Sequence, residues 1–313
     1  MNSPTNSEVV AARGPRNHVD PSRPYGWTQE LEPGPLGVPE ATTTVFITNS
    51  ECPFKCTMCD LWKNTTKSAV PAGSITHQIR STLEGLPWTP TVKLYNAGSF
   101  FDRRAISPLE FAEIAELVRD RREVVVECHP KLVGSSALEF SRLISPARLQ
   151  IAMGLETVDV EGLAFLNKGM TLKDFESASL YLTSNGIGLR SFVMLRPPGQ
   201  SECQGIDWAL KSVEFAAKLH SDLVAVIPTR PGNGMMELLA SSGEYHPPRL
   251  RSLERVLERS LERGGVRVVA DLWDIEQFAT CPSCVEARIE RLARMNETQV
   301  IPPVVDCTRC GPL

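Results

Sequence analysis

Long apolar runs are missing from this sequence: no stretch reaches the roughly 18 consecutive apolar residues that a bilayer-spanning helix needs. The first 27 residues also lack the apolar core of a secretory signal, so a cytoplasmic protein with no membrane association is expected. Basic charge is not in excess either. Lys plus Arg number 33 and Asp plus Glu 37, a net charge of −4. Dedicated nucleic-acid binders carry strongly basic surfaces, so this balance weighs against one and leaves only a local basic patch open. Nor is the composition skewed. Hydrophobic residues are 42 % and charged residues 22 %, which excludes global disorder and fibrous rods. An even cysteine count is lacking too. Nine cysteines in a reducing cytosol do not read as a disulfide framework, and metal ligation is expected instead.

What is present divides into three stretches. Residues 1–41 hold seven prolines and little periodicity, which predicts an extension without a core of its own. Within it, Pro24-Tyr25-Gly26-Trp27 offers two aromatics that can dock onto the body. Residues 42–275 read as a core in which strands and helices alternate. Strands are expected at 43–48, 92–95, 124–126, 149–153, 189–195 and 223–227. Helices are expected at 74–86, 108–119, 136–143, 159–166, 172–184 and 207–219. Further helices follow near 235–240 and 249–263, with a candidate seventh strand at 266–269. Such alternation makes parallel, right-handed βαβ units, and six of them close most of an α/β barrel. Residues 276–313 form a cysteine-rich tail with a charged helix at 285–298.

The loop after the first expected strand reads Cys52-Pro53-Phe54-Lys55-Cys56-Thr57-Met58-Cys59. Three thiolates within eight residues can hold three irons of a cubane 4Fe–4S cluster and leave the fourth iron open. A structural zinc site would close itself with a fourth ligand. This C-x3-C-x2-C spacing resembles the radical S-adenosylmethionine (SAM) superfamily, whose fold is a partial (β/α)6 barrel, and Met58 suits the position before its last cysteine. The resemblance covers about residues 42–275. It implies an enzyme that cleaves SAM to a 5′-deoxyadenosyl radical, which abstracts hydrogen from a substrate. It makes Cys52, Cys56 and Cys59 the catalytic cluster ligands.

The same resemblance implies SAM contacts at later strand ends. Tyr95-Asn96-Ala97-Gly98-Ser99 stands where the family has Gly-Gly-Glu, though only Gly98 is glycine and no glutamate follows. Asn96, Gly98 and Ser99 are then the candidate contacts. Glu127-Cys128-His129-Pro130 resembles the E-x-x-P of the elongator catalytic-subunit and methylthiotransferase branch, placing Glu127 on the SAM side. Cys128 reads as core, and His129 as either a local acid–base or a packed residue. Gly154-Leu155-Glu156-Thr157 and Asn167-Lys168-Gly169 resemble the passage that brings Glu156 to the SAM ribose or sulfonium. Lys168 reads as either a rim cation or a solvated helix end. A guanidinium forks onto a carboxylate, so Arg196, at a strand end, is favoured over Arg190 for the SAM carboxylate. Arg230 and Asn233 can face substrate, and Cys203, placed in a loop, reads as a free thiol.

The tail carries Cys281-Pro282-Ser283-Cys284 and Cys307-Thr308-Arg309-Cys310, two C-x2-C pairs 22 residues apart. Converging knuckles make a tetrahedral four-sulfur site, and zinc and an auxiliary iron–sulfur cluster both suit it. Gly311 fits a knuckle turn that needs a permissive backbone.

The run from Asn49 to Thr65 resembles the subfamily that contains the radical SAM subunit of archaeosine synthase. That resemblance implies C–N cleavage on a modified tRNA base, a tRNA or tRNA-binding partner protein, and a one-electron donor of flavodoxin or ferredoxin type. The sequence shows no tRNA-binding appendage, and its acidic balance keeps a small metabolite open as substrate. A reading of another class makes the tail a zinc-stabilised binding module and the barrel its scaffold. A scaffold has no reason to bind SAM, which separates the two.

Overall fold

The computed structural model describes residues 3–35 and 37–310, so Gly311 lies outside the described residues. Eight strands form one sheet in chain order: β1 (Gly26–Pro33), β2 (Pro39–Ile47), β3 (Thr91–Asn96), β4 (Glu123–Glu127), β5 (Arg148–Glu156), β6 (Gly188–Leu195), β7 (Leu223–Pro228) and β8 (Arg267–Ala270). β1 runs antiparallel to β2, and every later neighbour is parallel. The helices are α1 (Asn6–Ala11), α2 (Ser74–Glu84), α3 (Phe111–Val118), α4 (Ser135–Leu143), α5 (Val160–Phe165), α6 (Leu172–Ser184), α7 (Glu202–Lys218), α8 (Met235–Ser241), α9 (Leu250–Arg263) and α10 (Val285–Thr298). The sheet curls into a nearly closed barrel with helices outside it. Among the described residues no helix is long and apolar enough to cross a membrane.

Strand sequences follow from this position. Parallel strands covered by helices are buried on both faces and read as near-continuous apolar runs, as in Val124-Val125-Val126. Successive side chains alternate faces. Val92, Leu94, Val124, Val126, Ile151 and Met153 join the core between sheet and helices. The intervening residues point into the barrel.

At the N-terminal end of the barrel those inward residues are charged, and β1 answers them. The Glu32 carboxylate accepts hydrogen bonds from Arg190 at 2.8 and 2.9 Å and from Lys93 at 2.8 Å. Glu30 takes a second bond from Lys93 at 2.6 Å, and Arg190 also donates to the Gln150 side chain at 3.0 Å. Burial opposes charge on Glu32, yet Arg190 and Lys93 hold its carboxyl below the usual carboxylate range. The floor of the barrel is therefore a closed ionic cluster.

The split between β1 and β8 is covered by α10, which packs on both strands. Its last residues also satisfy the free backbone of β8. Asn296 accepts from the Ala270 N–H at 2.7 Å and donates to the Ala270 carbonyl at 2.8 Å. Gln299 does the same at Val268, at 2.9 Å each way.

Three expectations are corrected here. The stretch before residue 42 is not a separate extension: β1 is a full partner of the sheet, and β2 begins at Pro39. The polarity of β1 is inverted, with Trp27 and Leu31 exposed while Glu32 is half-buried in its ion pairs. The border at 275 falls in a 3-10 turn, Ile275–Phe278, that belongs to the main core, as do Leu292 and Met295 of the tail helix. Cys203 sits in the first turn of α7, exposed, rather than in a loop.

Removing Glu32 leaves the buried Arg190 without a charged partner and Lys93 with only the exposed Glu30. Glu32→Ala should therefore cost about 3–5 kcal/mol of stability, read as a lower denaturant midpoint. A loss below about 1 kcal/mol, the level of a surface pair, would show that the floor cluster does not hold the strand.

Candidate functional site

The cysteine loop leaves β2 at the C-terminal mouth of the barrel and is tied down from four sides. Thr57 donates its N–H to the Leu166 carbonyl and its hydroxyl to the Phe165 carbonyl, both at 2.9 Å. Asn167 donates to the Lys55 carbonyl at 2.9 Å. Asn233, from the loop after β7, donates to the Thr57 carbonyl at 2.5 Å. Phe54 stacks on the His129 ring with centroids 3.6 Å apart. His129 is itself fully engaged: Nδ1 accepts from the Lys131 N–H at 3.2 Å, and Nε2 lies 3.0 Å from the Lys168 carbonyl, which can only accept. Burial pushes its pKa down to about 4. His129 thus stays neutral with one tautomer fixed, and its place is as a backing plate for the loop. Asn233 likewise binds the loop, and Arg230 is paired with Asp271 at 2.6 Å.

Cys52, Cys56 and Cys59 are half-buried. Burial raises all three thiols, Cys56 to about 12. Such thiols give up their protons when a metal takes their place. Three soft donors on one anchored loop, with no fourth, suit three corners of an iron–sulfur cubane.

The strand ends bring the expected contacts round this loop. Asn96 closes β3, and both its side-chain nitrogen and oxygen are buried without a partner. A Cβ on Gly98 would lie 3.5 Å from that of Cys52, so the β3 loop abuts the first cysteine. Glu127 closes β4, and burial pushes its carboxyl up to about 8. Glu156 closes β5 and forms a buried ion pair with Lys168. That pair occupies the space a side chain on Gly154 would fill, so a larger residue there would have to displace it. Lys168 is 8 % exposed, which corrects its reading as a solvated cation. Burial works against its charge, but Glu156 and the sulfur of Cys56 outweigh that and raise its pKa.

Two arginines lie elsewhere. Arg196 is turned outward onto α7, where it bonds Glu202 at 2.6 Å and the Pro247 carbonyl at 2.8 Å. Its backbone adopts φ 59°, which swings the side chain out of the mouth. The expected role at a SAM carboxylate does not survive that placement. Arg190 belongs to the floor cluster.

Between mouth and floor lies an open chamber. Phe46, Tyr95, Glu127, Phe192, Ala225 and Ile227 are partly exposed although their strands are otherwise buried. Tyr25, not expected as a site residue, stacks on Phe46 at 5.6 Å. Burial, then the charges of Glu127, Asp60 and Cys59, raise its phenol above the usual range, which places it among them. Its signal was the aromatic pair at residues 25–27, without any indication of where it docks.

The tail thiols converge without help. Cys281, Cys284, Cys307 and Cys310 place their sulfurs within 4.8 Å of one another, with Cys281–Cys307 at 3.8 Å and Cys284–Cys310 at 3.6 Å. Bonds of about 2.3 Å to one tetrahedral ion set sulfurs about 3.8 Å apart. A cubane cluster spreads its ligands over separate iron corners. Backbone N–H groups of Cys310 and Arg309 lower the Cys307 thiol to about 6. Arg288, 1 % exposed, donates to the Cys284 sulfur at 3.3 Å and pairs with the buried Glu254.

No protein-family model matches the chain. Archaeosine synthase subunit beta of Thermococcus kodakarensis is 28 % identical over 212 residues, covering 64 % of this chain and 65 % of that protein. Its namesake from Methanosarcina acetivorans is 26 % identical over 236 residues, covering 72 % of this chain and 68 % of that protein. Both are named as one subunit of a complex. The chain thus spans about two thirds of these curated relatives. Among solved structures, Elp3 of Methanocaldococcus infernus with an N-terminal deletion gives a TM-score of 0.52 at 17 % identity, over 69 % of this chain and 58 % of that one. SuiB of Streptococcus suis, solved with bound S-adenosylmethionine, gives 0.51 at 15 % identity, over 72 % of this chain and 46 % of that one. These likenesses are of fold.

Glu127 supplies a pH test. Its carboxyl holds its proton more tightly folded than unfolded, so the fold weakens as pH rises from the ordinary 4.5 through about 8. Glu127→Gln should match the wild-type melting temperature near pH 4.5 and exceed it above pH 8 by about 5 °C. Equal melts at high pH would mean the carboxyl is solvated.

Proposed function

We propose that this chain, a radical SAM protein by its fold and its cysteine loop, cleaves SAM reductively and turns the radical on a substrate in the barrel chamber. The carrying observation is the anchored Cys52–Cys56–Cys59 loop facing a chamber rimmed by an unpartnered Asn96. When bound, a 4Fe–4S cluster and SAM supply the S–C5′ cleavage and the 5′-deoxyadenosyl radical. The chain's own part is to hold and to exclude. Cys52, Cys56 and Cys59 ligate three irons. Asn96 offers one donor and one acceptor to the polar end of SAM, with the Gly98 backbone beside it. Glu127, protonated at neutral pH, presents a hydroxyl donor without adding charge. The Glu156–Lys168 pair sets a neutral dipole against the thiolates, the pair rather than Glu156 alone being the SAM neighbour. Phe46, Tyr95 and Phe192 keep bulk water from the chamber, which protects a reactive intermediate.

The substrate we propose is a modified tRNA base that undergoes C–N cleavage, supported by the likeness to archaeosine synthase subunit beta. A partner protein then supplies the tRNA grip, because the chain carries net charge −4. That acidic balance also favours a second reading, the same chemistry on a small metabolite. At the tail we propose zinc, on the strength of the sulfur spacing. Free cysteines throughout the described chain suit a reducing, cytoplasmic setting.

Metal analysis of anaerobically reconstituted protein should give about four irons and one zinc per chain. About eight irons without zinc would replace the tail zinc by a second cluster. Zinc without iron would leave only the binding-module reading. Cys56→Ala should abolish SAM cleavage and lower the iron content while the zinc stays. Cys284→Ala should do the converse: zinc is lost, iron is kept, and the unfolding midpoint falls because the site contributes folding free energy. Wild-type cleavage in the first variant would remove the loop from the reaction. Substrate class is tested by 5′-deoxyadenosine release, stimulated by base-modified tRNA plus partner subunit if the tRNA reading holds.

A further inference from the structure

The N-terminal segment builds a basic pocket on the outer side of the cysteine loop. α1 lays Val9 against Phe165, Met235 and Met236. The chain then passes Gly234, where φ is +91° and a Cβ would strike the Ala12 carbonyl, so only glycine allows the approach. This route delivers Arg13 and Arg16 to the carboxylate of Glu51, the residue before Cys52, with Arg13 at 2.7 Å. Lys55, between Cys52 and Cys56, reaches the same carboxylate. Burial opposes charge on Glu51, but bonds from Lys55, Arg13 and Arg16 hold its carboxyl at about 2. Three cations on one carboxylate leave two positive charges in surplus, in a chain whose net charge is −4.

The pocket is concave, about 300 Å³, with Trp62 as its back wall. The Arg13 guanidinium lies 4.7 Å from the Trp62 ring, and its Nε is buried without a partner. Val10, on its lining, is 47 % exposed. Cations around an exposed valine, next to the loop that carries the cysteines, match an acidic protein with an apolar contact rim. A polynucleotide is a poorer match, because affinity for it grows with the number of phosphates neutralised and two surplus charges in an acidic chain neutralise few.

We propose that this pocket is the docking surface for an acidic one-electron donor protein of flavodoxin type. Its carboxylates meet Arg16 and Lys55, backed by the charge of Arg13, and its apolar rim meets Val10. The inference rests on the radical SAM reading, which requires one electron from outside for each SAM cleaved. The donor is oxidised by one electron, and the iron–sulfur group held by Cys52, Cys56 and Cys59 is reduced by one. No atom or proton crosses. A donor seated here rests on Glu51 and Lys55, the chain neighbours of Cys52 and Cys56.

The test is titration of reconstituted protein with a purified acidic flavodoxin, read as a dissociation constant. Arg16→Glu should weaken binding about tenfold at low salt, and wild-type binding should fall by a similar factor as KCl rises past about 0.3 M. Reduction of the iron–sulfur group by flavodoxin hydroquinone should slow in step, while reduction by cationic methyl viologen radical stays at the wild-type rate. Val10→Glu adds a negative charge without touching the Glu51 bonds and keeps the test sharp if Arg16→Glu folds poorly. Wild-type flavodoxin affinity in Val10→Glu, or salt-independent binding, would overturn the proposal. So would loss of oligonucleotide binding in these variants with flavodoxin binding intact, which would give the pocket to nucleic acid. Failure of the wild type to cleave SAM with methyl viologen would instead sink the radical SAM reading, whatever flavodoxin does.

Discussion

A barrel that stops short of closure must satisfy the backbone of its last strand, and here two side-chain amides do so. Asn296 and Gln299 bond the N–H and C=O of Ala270 and Val268 as a ninth strand would. Unpaired edge groups otherwise cost free energy or recruit another chain. Because those amides sit at the end of α10, the position of this helix decides whether the sheet is finished. The same helix begins directly after Cys284. Its Arg288 and Arg291 both reach Glu254 of α9, which is fully buried, and Arg288 also touches two of the tail sulfurs. A metal held by the tail cysteines would therefore anchor one end of the element that covers the barrel's seam.

The mouth is organised by a second constraint. A loop that carries three cysteines has no regular hydrogen bonding of its own, so its carbonyls and amides must be satisfied from neighbours. Phe165, Leu166, Asn167 and Asn233 do this, and the Phe54–His129 stack fixes the loop against β4. Polar groups that complete this scaffold are not free for chemistry. That is why His129 and Asn233 are positioning residues, while Asn96, buried and unpartnered, remains available to a ligand.

The sequence made the parallel core legible because its strands are apolar on both faces and its helices repeat at 3.6 residues; helix 172–184 is found as α6 with those same ends. The cysteine loop and the tail knuckles were legible through spacing alone. What could not be read was anything that depends on an inverted or long-range pairing. β1 turns Glu32 toward buried cations and shows Trp27 and Leu31, so its pattern points the wrong way. Lys168 and Arg196 look alike as cations near strand ends. Only the folded chain shows that one meets Glu156 inside and the other meets Glu202 outside. Tyr25 is another such case, reaching the chamber from a segment with no periodicity.

The contact between α10 and β1 also bears on how the chain is made. β1 leaves the ribosome ahead of β2 to β8, and the helix that covers it follows all of them. Contacts this distant in sequence are slow to form, and domains generally fold during synthesis from the N-terminal side. Until α10 emerges, β1 and β8 both stand as open edges on a half-built sheet. Vectorial synthesis thus leaves a long interval in which this barrel is exposed to mispairing, because its seam is sealed only after all eight strands have appeared.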